Sequence, residues 1–163
     1  MKANYLAIDF STTNTGYAYK KNNRVVVGSI SGGKAKTDIS ERTQNIINAL
    51  IDMIEAEGLQ DYFVAIEEPI ITMKTANTMK LIRCNGMLLA ALRHKFNMGF
   101  IDIPNVKWAS YSLIKGKRKE RKAASIEVLR QSGLVPEEQL NDDMADAYCI
   151  LLYVMNSGKV SVV

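Results

Sequence analysis

The sequence holds one histidine, one tryptophan, two cysteines and three prolines in 163 residues. Cys84 and Cys149 stand alone, with no cysteine or histidine partner at metal spacing, so a zinc site is excluded. They read as reduced thiols that fill a core. His94 falls late in a helical stretch and reads as a surface or satisfied histidine rather than a ligand. No apolar run approaches the roughly 20 residues that span a bilayer; runs such as Met87–Leu92 end after a few. Asp9 interrupts the N-terminus MKANYLAIDF where a secretory leader needs an unbroken apolar stretch. The expected location is therefore cytoplasmic. Repeats, linkers and low-complexity tracts are also lacking, which leaves one domain over residues 1–163.

What is present is ordinary for a globular chain: 47% hydrophobic and 23% charged residues. That length buries roughly 70% of the unfolded surface in one core. The net charge of +4 is unevenly placed. Residues 107–122 carry Lys107, Lys115, Lys117, Arg118, Lys119, Arg121 and Lys122 against Glu120 alone. Residues 137–146 carry Glu137, Glu138, Asp142, Asp143 and Asp146 with no base. A polyanion that meets a divalent metal accounts for both halves.

The apolar run 4–10 predicts a strand closed by an acid, and STTNTG after it a turn. Residues 16–20 and 24–30 predict a hairpin about Lys21-Asn22-Asn23. A helix starts near Asp38, with Glu41 in capping-box position, and stops at Gly58. Residues 62–67 form a second apolar run closed by an acid. A long helix covers 72–95, with Met79, Ile82, Gly86, Leu89 and Ala90 on one face and close packing at Gly86. A strand over 98–103, a helix over about 120–132 and a last helix over about 142–157 complete the chain. This order predicts an α/β fold: a mixed five-stranded sheet, with a three-strand antiparallel meander and parallel strands joined by crossovers.

Leu6-Ala7-Ile8-Asp9 and Val64-Ala65-Ile66-Glu67 are each apolar until a final carboxylate. Such runs mark central strands, and sites in α/β sheets lie at the carboxyl ends of those strands. Parallel neighbours would present Asp9 and Glu67 side by side; alternatively, each acid starts a solvated loop. On the last helix Asp143 and Asp146 are i,i+3 neighbours, with Asp142 or Asn141 placed to cap it. Capping and the helix dipole explain one or two acids there, but not Asp146, whose neighbours face a core. Carboxylates 4 Å apart repel by about 4 kcal/mol at an effective dielectric near 20. Four together need a cation, and oxygen ligands select Mg²⁺ or Mn²⁺. Beside a basic surface, this points to phosphoryl chemistry on nucleic acid.

Residues 7–17 (AIDFSTTNTGY), Val64-Ala65-Ile66-Glu67 and Asp143-Met144-Ala145-Asp146-Ala147, in this order and spacing, resemble the RuvC Holliday junction resolvases. The resemblance covers nearly the whole chain. It implies an RNase H-like fold and a homodimer that nicks four-way DNA junctions in recombination and repair. It also implies hydrolysis by water with two Mg²⁺ per site, replaceable by Mn²⁺. Asp9, Glu67, Asp143 and Asp146 take the catalytic and metal-binding places. Lys107 and the Lys/Arg-rich start of the next helix take DNA-binding places.

Bacterial members carry an aromatic that contacts junction bases three residues after the second acid; here that position is Ile70. The basic stretch is also denser. Both features resemble phage-encoded members, such as those of lactococcal phages, and imply a broader taste for branched DNA. Three other readings share these residues. An RNA-processing nuclease of the same fold would keep the acids. A sugar-kinase-like or actin-like nucleotide-binding module would use residues 9–16 as a phosphate loop, but needs a second domain. A non-catalytic DNA-binding protein would use only 107–122. Trp108 and Tyr111, among the lysines, either stack on bases or anchor their loop to the core.

Overall fold

Alternation along the strands decides which side of the sheet each residue serves. In this computed structural model, which describes residues 3–69 and 75–157, the strands are β1 (Tyr5–Asp9), β2 (Asn14–Lys21), β3 (Arg24–Ser31), β4 (Phe63–Glu67) and β5 (Phe100–Ile103). The helices are α1 (Ile39–Glu57), α2 (Thr75–Phe96), α3 (Asn105–Tyr111), α4 (Arg118–Ser132) and α5 (Asp142–Asn156). The sheet order is β3-β2-β1-β4-β5. β1–β2 and β2–β3 pair antiparallel; β1–β4 and β4–β5 pair parallel. The expected mixed sheet is therefore present, with β1 and β4 central.

Leu6, Ile8, Val64 and Ile66 point to one face and pack with Ile46, Leu50 and Ile54 of α1 and Leu88 and Leu92 of α2. Ala7, Ala18 and Ala65 point to the other and meet Ala147, Cys149, Ile150 and Val154 of α5. Small residues on that face let α5 lie close along β1 and β2. Asp9 and Glu67 share the parity of Ala7 and Ala65, so alternation aims them at α5.

Asn22 and Asn23 close the hairpin at φ 48° and 63°, a left-handed pair that asparagine tolerates and that matches strand twist. Asp38 caps α1 by accepting from the Ser40 N–H at 2.8 Å. Gly58 ends it in the left-handed region. Both cysteines are buried, and burial pushes the Cys149 thiol up to about 12. Among the described residues, no helix is long and apolar enough to cross a membrane.

One expectation for α2 is corrected. Gly86 is exposed, and a Cβ there would meet nothing within 4 Å, so it marks no close approach within the chain. The side carrying Met79, Ile82, Gly86 and Ala90 faces solvent, while Cys84, Leu88 and Leu92 face the core. Apolar spacing alone could not tell the two faces apart, because both carry apolar residues. The start of the expected 72–95 helix lies outside the described residues. α3 was not expected: seven residues give too little periodicity to read.

Candidate active site

Leu6 to Ile8 of β1 pair in register with Val64 to Ile66 of β4. The next residues, Asp9 and Glu67, therefore leave the sheet together at its carboxyl edge. β2 runs beside Asp9 with Gly16 opposite it. The intervening turn is tied by Ser11: its Oγ accepts from the Thr13 and Asn14 N–H groups, each at 3.2 Å, and its carbonyl accepts from Thr15 Oγ1 at 2.7 Å. That turn aims Asn14, whose Nδ2 donates to Asp143 Oδ2 at 2.6 Å.

α5 brings the other acids. Asn141 caps it, its Oδ1 accepting from the Met144 N–H at 2.9 Å. Asp142 therefore lies in the first turn, where it accepts from the Lys122 ammonium and forms an ion pair with it. Burial opposes ionisation of Asp142, but the hydrogen bond and charge of Lys122 outweigh it and hold the carboxyl below its ordinary value. Lys122 is raised in turn.

Asp9, Glu67, Asp142, Asp143 and Asp146 line one cavity of about 480 Å³, with Asn105, Trp108, Arg118, Arg121 and Lys122 on its walls. Asp9 is held well above the ordinary carboxyl range, first by burial and then by the charges of Glu67, Asp146, Asp143 and Asp142. Burial raises Asp143 as well, against its bond from Asn14. Burial lifts Asp146 to about 6, with Ser125 pulling the other way and Glu67 adding to the rise. A larger cavity of about 780 Å³ at the opposite end of the sheet has no acid on its walls.

Among the described residues, no three histidine, cysteine, aspartate or glutamate groups are gathered as a ready metal cage. Protein donors hold several acids instead: Asn14 on Asp143, and Asn105 and Trp108 on Glu67. The donor set still fits a hard cation, since carboxylates that oppose one another's ionisation face a common space and carry only oxygen.

The bases divide. Lys107, Lys115, Lys117, Arg118 and Lys119 are exposed. Arg121 donates to Asn105 Oδ1, and Lys122 is committed to Asp142. Of the seven bases expected to bind DNA, the fold turns these two toward the acids. Trp108 is 2% exposed, so it anchors α3 to the core and does not offer a stacking face. Tyr111 is 45% exposed and packs edge-on against Tyr153. Ile70 lies outside the described residues. Asn14 and Asn105 were missed by sequence reading. A lone amide carries no periodic signal, and the only hint was Asn14 within a motif already noted for its acid.

Thermus thermophilus RuvC, solved in complex with a Holliday junction substrate, matches with a TM-score of 0.70 at 15% identity, over 99% of both chains. A second Thermus thermophilus RuvC structure matches at 0.66 and 13% identity, over 98% of this chain and 99% of that one. No curated protein sequence matches. The structural likeness shows an RNase H-like fold of the RuvC kind. A family model described as Lactococcus phage M3 protein matches residues 1–156, nearly the whole sequence, and the chain belongs to that family.

Proposed function

We propose that the protein is a divalent-metal-dependent endonuclease that nicks branched DNA, four-way junctions included. The observation that carries this is the cavity at the carboxyl edge of β1 and β4, where burial, and then the charges of four other acids that share the space, push Asp9 up. Such a cluster is costly without a cation. Mg²⁺ or Mn²⁺, as one ion or a pair, would be held by Asp9, Glu67, Asp143 and Asp146, and would supply Lewis acidity and a water of lowered pKa. The chain's own residues do the rest. Asn14 fixes Asp143. Lys122 neutralises Asp142 and so leaves the remaining acids to the cation. Arg118, on the cavity wall, and the exposed Lys107, Lys115, Lys117 and Lys119 bind the phosphate backbone and bring a scissile phosphate to the acids.

The DNA preference follows from shape and charge. An exposed basic segment raises binding that ignores shape. An isoleucine at position 70 removes a stacking surface worth about 1–3 kcal/mol per base. Both reduce the advantage of a four-way junction over forks and three-way junctions. The chain acts as a C₂ homodimer through the solvent face of α2, where Met79, Ile82 and Met87 are 48%, 36% and 41% exposed. A two-fold pair would set two sites on symmetry-related strands. Incubating the protein with labelled four-way, three-way, forked and linear DNA, with Mg²⁺ or EDTA, tests the reading. Metal-dependent nicks in branched DNA support it, and no cleavage with either Mg²⁺ or Mn²⁺ overturns it.

A further inference from the structure

Glu67 is held by a chain of donors that begins among the bases. Glu67 pairs with Ile103, the last residue of β5, so the chain leaving β5 arrives at the level of the Glu67 carboxylate. α3 starts there. Asn105 and Trp108, three apart, share a face of that helix, and both donate to the same oxygen, Oε1: Trp108 through Nε1 at 3.1 Å, Asn105 through Nδ2. The Asn105 Oδ1 accepts from Arg121 Nη2, in the first turn of α4.

The two ends of the Asn105 amide are thereby committed to opposite partners. An asparagine amide has a donor end and an acceptor end of nearly equal shape, and a half-turn exchanges them. With nothing on Oδ1, that half-turn would aim an oxygen at the Glu67 carboxylate. A guanidinium, which only donates, forbids it. Charge-assisted bonds at both ends are also stronger than neutral ones.

We propose that Arg121 and Asn105 are positioning residues for Glu67. Arg121 locks the Asn105 amide with its N–H toward Glu67, and Asn105 with Trp108 sets the rotation of the carboxylate for a cation. Arg121 is thus a base of the 107–122 segment that works inward rather than on a DNA phosphate. The inference rests on the nuclease reading in taking Glu67 as a cation ligand.

The chain has one tryptophan, and its N–H lies on Glu67, so tryptophan emission reports the carboxylate directly. The test titrates the metal-free protein with Mg²⁺, and separately with Mn²⁺, while following that emission, with no DNA present. Wild type shows a saturable shift in Mg²⁺ and quenching in Mn²⁺, and Glu67→Gln loses both. Arg121→Ala and Asn105→Ala raise the midpoint about fivefold or more at little change in Tm. Arg121→Lys recovers part of the shift. The double variant is no worse than Asn105→Ala, since Arg121 acts through Asn105. In EDTA, Arg121→Ala leaves the salt slope of duplex binding unchanged.

A wild-type midpoint in Arg121→Ala overturns the proposal. So does a drop of about 0.9 in its salt slope, which would make Arg121 a phosphate ligand. A wild-type protein whose emission ignores both ions, and which cuts no DNA, overturns the nuclease reading and this inference with it.

Discussion

Gly16 lies so close beneath the Asp143 carbonyl that a Cβ built on it would stand 1.9 Å from that oxygen. Gly16 is also the antiparallel partner of Asp9. The missing side chain therefore lets the start of α5 settle over β2 and brings Asp143 toward the end of β1. The obstruction would be backbone, which cannot rotate aside. Gly16→Ala is expected to destabilise the fold by about 1–3 kcal/mol through overpacking, and to weaken cation binding even where the protein stays folded. Chemical denaturation with an Mg²⁺ titration checks both. Wild-type stability together with wild-type cation affinity would contradict the close approach.

The acids set the pH dependence of stability. Burial holds Asp146 at about 6 when folded, against about 3.9 in an unfolded chain, and Asp9 and Asp143 are raised as well. Between about pH 4 and 6 the folded state therefore binds more protons than the unfolded one. Stability without divalent cations falls as pH rises through that window. Asp146→Asn removes its share. In EDTA at pH 7.5 it should be more stable than wild type by about 2 kcal/mol, and at pH 4 the gain should vanish. Thermal melts at the two pH values decide, and a less stable Asp146→Asn at pH 7.5 would count against the reading.

The central strands and their terminal acids were legible because two physical signals agreed: unbroken apolar runs for β1 and β4, and a carboxylate closing each. The hairpin was legible from Lys21-Asn22-Asn23, and α1 from Asp38 and Gly58. The outward face of α2 was not. Met79, Ile82 and Met87 are apolar yet exposed, so their spacing mimics a core stripe. α3 was hidden for want of length. The inward turn of Arg121 and Lys122 was hidden too, because a charge run does not say which of its members meets an acid from a distant segment. Asp142 and Asn105 supply those partners only once the chain is folded.

The exposed bases give a salt-dependent signature. Lys107→Ala with Lys119→Ala should weaken binding to every DNA tested by similar factors, and lower the salt slope by about 0.9 for each duplex phosphate that is no longer neutralised. Lys122→Ala should behave differently, since its ammonium pairs with Asp142. Its main effect should fall on the cation requirement, with a smaller change in slope. Fluorescence anisotropy across a salt series in EDTA separates the two. An unchanged slope in the Lys107/Lys119 double variant would reject this surface.

The solvent face of α2 predicts self-association. Met79→Glu with Ile82→Glu should convert a dimer into a folded monomer, because two charges would be buried in any symmetric contact across that face. Sedimentation at micromolar concentration checks this. A wild-type monomer, with and without DNA, would contradict the dimer.

The most direct measurement compares cleavage of a labelled four-way junction by wild type, Asp9→Asn, Glu67→Gln and Asp146→Asn, each shown to be folded and to bind the junction in EDTA. With Mg²⁺ or Mn²⁺, wild type should nick the junction, and each variant should lose several orders of magnitude in rate while retaining DNA affinity. Near wild-type turnover in Asp146→Asn, or wild-type cleavage that persists in EDTA, would contradict a cation site built from these carboxylates.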